Sequence, residues 1–181
     1  AAHLLASMKD QQGRVVIPGY YDGVSFDSLA LQVMAAVPDN EEAIQERAGF
    51  KEPEKVGVNY QEAMQFPSLN VRGIRSAWVG NEARTIVPDK VIVEIDIRTV
   101  PNTDGNRLAG LVKEHIKQQG YTILDAVPTH QEMLSIEKPI FVEHTVSMYP
   151  FRTPLDSELG AWLKDALEQA HGKEVVQIRI L

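Results

Sequence analysis

At 181 residues the chain suits one domain, or one domain with part of a neighbour, and its 44% hydrophobic residues supply a core that argues against disorder. The 25 acidic side chains outnumber 18 basic ones for a net charge of −7, with no Lys/Arg block, so its field repels phosphate backbones and argues against nucleic acid as a partner. The apolar runs fall short of the ~20 residues a bilayer crossing needs, which argues against a membrane, and the absence of cysteine removes disulfides, thiolate metal sites and cysteine nucleophiles without fixing a compartment, the cytoplasm being slightly favoured.

The opening "AHLLASMKDQQG" reads as the end of a helix, with Leu4, Leu5 and Met8 on one face and Gly13 as the stop. The chain starts at Ala1 without Met or a leader and is expected to be a piece of something longer. A short extended run follows and breaks at Pro18–Gly19. Short helices are predicted between 27 and 66, with Asp39/Glu42 and Asn59/Glu62 at the spacing of reciprocal caps. From 68 the period becomes two. In "VIVEIDIRTV" Val91, Val93, Ile95 and Ile97 point one way and Glu94, Asp96 and Arg98 the other, the pattern of a sheet with one buried face. The preceding run from 68 to 79 is also extended, and the two form an antiparallel pair.

A helix is predicted over about 104–119 from the stripe Leu108, Leu111, Val112 and Ile116, with Gly120 just past its end and the strand "YTIL" after it. The order strand, strand, helix, strand gives an α+β fold: a ferredoxin-like antiparallel sheet with helices on one face. "PIFVEHTVSMYP" is a further extended run. In "TPLDSELGAWLKDALEQAHG" Thr153 is the expected cap, Pro154 the first helical residue, and Leu159, Trp162, Leu163, Ala166, Leu167 and Ala170 the expected buried stripe, ended by Gly172. The closing "EVVQIRIL" reads as a strand. This helix and strand reach into a second, α/β domain.

His3, His115, His130, His144 and His171 occupy no metal-binding spacing, and no metal ligand is assigned. His115, alone on its helix, is expected at the surface or boundary. Glu41–Glu42 diverge on a helix whose first turn favours acids, so the pair is structural. No nucleophile elbow or phosphate-cradling glycine loop is present. Arg98 has two readings: an ion pair with a neighbour of Glu94 or Asp96, or a guanidinium fork aimed at a carboxylate or developing oxyanion. Thr85 by itself is a turn or strand-start hydroxyl.

Three stretches taken together, "GRVVIPGYYDGV" (13–24), "FPSLNVRGIRSAWVGNEARTIVP" (66–88) and "DIRTVPNTDGNRL" (96–108), resemble the lid, or dimerisation, domain of the zinc-dependent exopeptidase superfamily, which includes carnosinase-type dipeptidases, glutamate carboxypeptidases and aminoacylases. The resemblance implies that 1–148 is the lid and 149–181 an incomplete return into the catalytic domain. The dipeptidase-branch motifs fall on Arg84-Thr85-Ile86-Val87-Pro88 and Arg98-Thr99-Val100-Pro101. By resemblance Arg98 binds a substrate's terminal carboxylate and Thr85 holds the reacting amide or its tetrahedral intermediate. The intact enzyme it implies uses two zinc ions and a glutamate base to hydrolyse dipeptides or N-acyl amino acids. All of these ligands lie outside this piece, which has no catalytic residue and is inactive alone. A homodimer through the lid sheet is also implied. The competing expectation is a non-catalytic ferredoxin-like module that dimerises or binds a small ligand.

Overall fold

The computed structural model describes residues 1–179. Helix α1 (Ala2–Ala6) leads through an isolated bridge between Lys9 and Val15 into the turn at 18–23. Helices α2 (Ser28–Ala36), α3 (Glu41–Ala48) and α4 (Tyr60–Ala63) follow. Strand β1 (Asn70–Arg75) pairs antiparallel with β2 (Ile92–Asp96), in register from Asn70 opposite Asp96 to Arg75 opposite Ile92, with a bulge between Val71 and Gly73. Helix α5 (Gly105–Gln118) comes next, then β3 (Thr122–Leu124), α6 (His130–Ser135), β4 (Pro139–Phe141) and α7 (Glu158–His171).

The core forms where the apolar faces of α1 and α5 meet the strands. Leu4, Met8, Val15, Ile17, Tyr20, Leu69, Leu108, Val112 and Ile116 are buried together, with Ile95, Ile97, Ile123 and Ile140 packed against them. The predicted stripe of α5 and, of the predicted β2 row, Ile95 and Ile97 serve this one core, whereas Val91 lies exposed before the strand begins. Arg107 ties the 18–23 turn to α5 by donating to the carbonyls of Gly19 (2.8 Å) and Asp22 (2.9 Å). In the same turn Gly23 has φ +93°, and a Cβ there would stand 2.5 Å from the Asn102 carbonyl oxygen, so only glycine fits.

Several expectations are corrected. The strands among the described residues form two two-stranded sheets rather than one antiparallel sheet, and β3 pairs parallel with β4, Ile123 opposite Ile140. The connection between them is long enough to carry α6, and such a crossover brings the second strand back in the same direction. Of the run 139–150 only Pro139–Phe141 joins a ladder. Helix α3 is capped by Asn40, whose side chain accepts from Ala43 N–H, while Asp39 accepts from Gln61 instead. Asn59 does cap α4, but Glu62 accepts from Val58 N–H rather than closing the box.

Helix α7 begins one turn later than expected. Ser157, not Thr153, caps it by accepting from Gly160 N–H, and Pro154 belongs to the turn before. Its apolar stripe is exposed: Leu159, Trp162, Leu163 and Leu167 are open to solvent because no other described element covers them. Gly172 ends the helix in the left-handed conformation, as expected. Residues 174–179 join no ladder, and the last two residues of the expected strand lie outside the described residues. His115 is buried rather than peripheral, its Nε2 2.8 Å from Ser7 Oγ between α5 and the end of α1. Burial lowers its pKa from the ordinary histidine value.

Candidate functional site

Arg98 and Thr85 sit at opposite ends of the β1–β2 hairpin. The alternation of β2 turns Glu94, Asp96 and Arg98 away from the core. Past Asp96 the pairing continues through the backbone, where Arg98 N–H donates to Ser68 Oγ (3.3 Å) and Ser68 N–H donates to the Arg98 carbonyl (3.1 Å). The Arg98 side chain is 66% exposed, with Nε 3.6 Å from Asp96 Oδ2, a loose contact that leaves most of the guanidinium fork free. The expected cross-strand pair exists elsewhere, between Arg72 and Glu94 at 2.9 Å.

Thr85 lies in the loop that leaves the hairpin past Arg75 and returns at Ile92. Ser76 Oγ closes the base of this loop by donating to the Lys90 carbonyl at 3.1 Å, and Gly80–Glu82 make a 3₁₀ turn within it. Arg84 stacks over Trp78, 5.3 Å from the ring centre, while Val79 and Val87 project fully into solvent. Thr85 is exposed in a bend beside them. Six residue steps of extended chain, about 20 Å, lead from Ile92 to Arg98, and among the described residues the Thr85 and Arg98 side chains share no hydrogen bond. The hairpin presents two polar groups at its two ends and does not bring them together.

Among the described residues no three histidine, aspartate or glutamate side chains gather closely enough to hold a metal ion, so the side chains at hand do not fit a zinc centre. No described helix is long and apolar enough to cross a membrane.

A further polar cluster carries no signal in sequence, since its members lie 87 and 114 residues apart. Gln65, 2% exposed just after α4, accepts through Oε1 from Arg152 Nη2 and donates through Nε2 to the Arg179 carbonyl (3.4 Å). Arg179 Nε is shielded from water and has no acceptor among the described residues. Desolvation first, then the neighbouring Arg179 charge, lowers the pKa of Arg152.

The model of the peptidase dimerisation domain family matches residues 1–123, a stretch that contains both α5 and the whole hairpin. This chain belongs to that family. Among curated proteins the domain is similar to the Cys-Gly metallodipeptidase dug1 of Schizosaccharomyces pombe, 30% identical over 119 residues that cover 62% of this chain and 24% of the relative. It is also similar to the Beta-Ala-His dipeptidase of Homo sapiens, 25% identical over 191 residues, 97% of this chain and 33% of the relative. Among solved structures the fold superposes on an M20 family metallo-carboxypeptidase from Sulfolobus solfataricus with a TM-score of 0.72 at 23% identity, over 99% of this chain and 38% of that one. Human carnosine dipeptidase 1 gives 0.71 at 21% identity, over 98% and 36%. The chain thus spans roughly a quarter to a third of the curated relatives it matches.

Proposed function

We propose that this dimerisation domain is the lid of a zinc-dependent metallopeptidase that hydrolyses dipeptides or N-acyl amino acids, and that residues 1–148 form the lid while 149–181 return toward the catalytic domain. The observation that carries the reading is the family match across the hairpin together with the open guanidinium of Arg98. Arg98 takes the substrate's terminal carboxylate through its fixed pair of donors. Thr85 offers a hydroxyl to the reacting amide or its oxyanion. Because the two lie at opposite ends of the hairpin, one copy of the domain presents them to different places.

Zinc, two ions per chain in this reading, is held by residues outside this chain and would supply the Lewis acid that activates water there. The domain's own contribution is to bind and orient substrate, so alone it is inactive. Two copies of the domain pair edge to edge through the lid sheet to form a homodimer. An open hairpin edge and the exposed Val71, Ile74 and Ile92 support pairing of two copies.

The non-catalytic module is the second reading, and the 3.6 Å approach of Arg98 to Asp96 favours it. Kinetics of Arg98→Ala in the intact enzyme separate the two. The peptidase reading expects KM for carboxylate-bearing substrates to rise on the order of tenfold or more with kcat little changed, since a charged hydrogen bond contributes roughly 1.5–3 kcal/mol. An unchanged KM removes Arg98 from the site. Elemental analysis of the intact enzyme is expected to give two zinc ions per chain, and a folded enzyme without zinc leaves only the module.

A further inference from the structure

The loop that carries Thr85 is held by contacts made within itself. Ser76 Oγ donates to the Lys90 carbonyl at its base, and Ala83 N–H donates to the Gly80 carbonyl (3.1 Å) to close the 3₁₀ turn. Ile86 N–H then donates to the Arg84 carbonyl at 2.9 Å, a three-residue turn that puts Thr85 at its corner. Arg84, the residue before that corner, lays its guanidinium over the half-exposed Trp78, 5.3 Å from the ring centre. Trp78 follows Ala77, whose φ of +36° is a left-handed conformation that an alanine keeps only where its surroundings hold it there. The stack therefore joins the limb of the loop that leaves β1 to the limb that returns toward β2.

We propose that Trp78 and Arg84 are positioning residues whose stack aims the Thr85 hydroxyl. The proposal rests on the reading of Thr85 given above, as a donor to the reacting amide or its oxyanion. A hydroxyl on an exposed loop samples many directions, and such a donor counts only when its direction is set before the reaction. The three-residue turn fixes residue 85 relative to Arg84, and the stack fixes Arg84 relative to the end of β1 through Ala77 and Trp78. A planar guanidinium also lies flat on an indole face, which a compact ammonium cannot do, so the side-chain types suit the task.

Two readouts on the intact enzyme test this, one of the loop and one of the reaction. A guanidinium must leave Trp78 before trypsin can take it, so native-state cutting after Arg84 is expected to run about two- to fivefold faster in Trp78→Ala and near the unaltered rate in Trp78→Phe. The kcat of Trp78→Ala is expected to fall on the order of tenfold with KM within about twofold, and Trp78→Phe, which keeps an aromatic face, restores most of it. In a Thr85→Val background the same Trp78→Ala change should cost no more than about a further twofold, because no hydroxyl is left to aim. A loss of kcat that is equal with and without the Thr85 hydroxyl reflects a general structural effect and overturns the proposal. So does unchanged cutting after Arg84, or full kcat in Trp78→Ala beside a crippled Thr85→Val. Full activity in Thr85→Val is a separate result: it overturns the reading of Thr85 itself, and the role of the stack with it.

Discussion

Helices α5 and α7 are both 14 residues long, both amphipathic and both capped at each end, yet they meet opposite fates. Leu108, Val112 and Ile116 of α5 vanish into the core, whereas Leu159, Trp162, Leu163 and Leu167 of α7 stay in water. The difference lies in their neighbours. Helix α5 is followed at once by β3 and faces the inward row of β2, so its stripe is covered within the domain. Helix α7 has no such element among the described residues. An apolar stripe at helical spacing thus announces a face to be covered and says nothing of what covers it.

The sharpest way to break this comparison is truncation on both helices, followed by urea unfolding of the chain. Leu108→Ala, at a fully buried position, is expected to cost about 2–5 kcal/mol, and Leu163→Ala, half open to water, less than about 0.5 kcal/mol. Equal losses would mean that α7 is covered in solution. Glycines sharpen the contrast. Gly23→Ala, which combines a left-handed φ with a carbonyl in the way, should cost about 2–4 kcal/mol, and Gly172→Ala, left-handed but facing open space, about 1 kcal/mol.

His115 ties α5 to α1 and gives the packed region an acid sensitivity. Its folded pKa lies below that of the unfolded chain, so its contribution to stability is complete above the unfolded value and is lost as pH falls through the folded one. Tm measured from pH 7.5 to 5 should therefore fall less steeply in His115→Gln than in the unaltered chain, and an identical slope would show that another group governs it. The smallest effect is expected at the surface of the hairpin. Glu94→Gln breaks an exposed ion pair with Arg72 and should change stability by no more than about 0.5 kcal/mol, with the difference fading in high salt.

Much of the packed region was legible along the chain. The period-two row of β2 and the stripe of α5 are local patterns; the α5 stripe found the core it implied, and of the β2 row Ile95 and Ile97 did while Val91 stayed exposed. Arg98 and Thr85 were singled out by motif, and both proved exposed, though their placement at opposite ends of the hairpin was not legible. The late start of α7 turned on two candidate caps four residues apart, Thr153 and Ser157, either of which satisfies the same local rule. The burial of His115 depended on where Ser7 came to lie, more than a hundred residues away.

By itself the sequence determined which segments are helical apart from α6, which strand has two unlike faces, where left-handed turns demand glycine, and which family the hairpin motifs resemble. These follow from spacing and backbone sterics within a few residues. The tertiary structure alone decided that β3 and β4 run parallel, that α7 keeps its stripe exposed, and that Gln65 meets both Arg152 and the Arg179 backbone. Each of these depends on contacts between residues far apart in the chain, whose formation rests on chain reversal and on competition for partners rather than on any local preference.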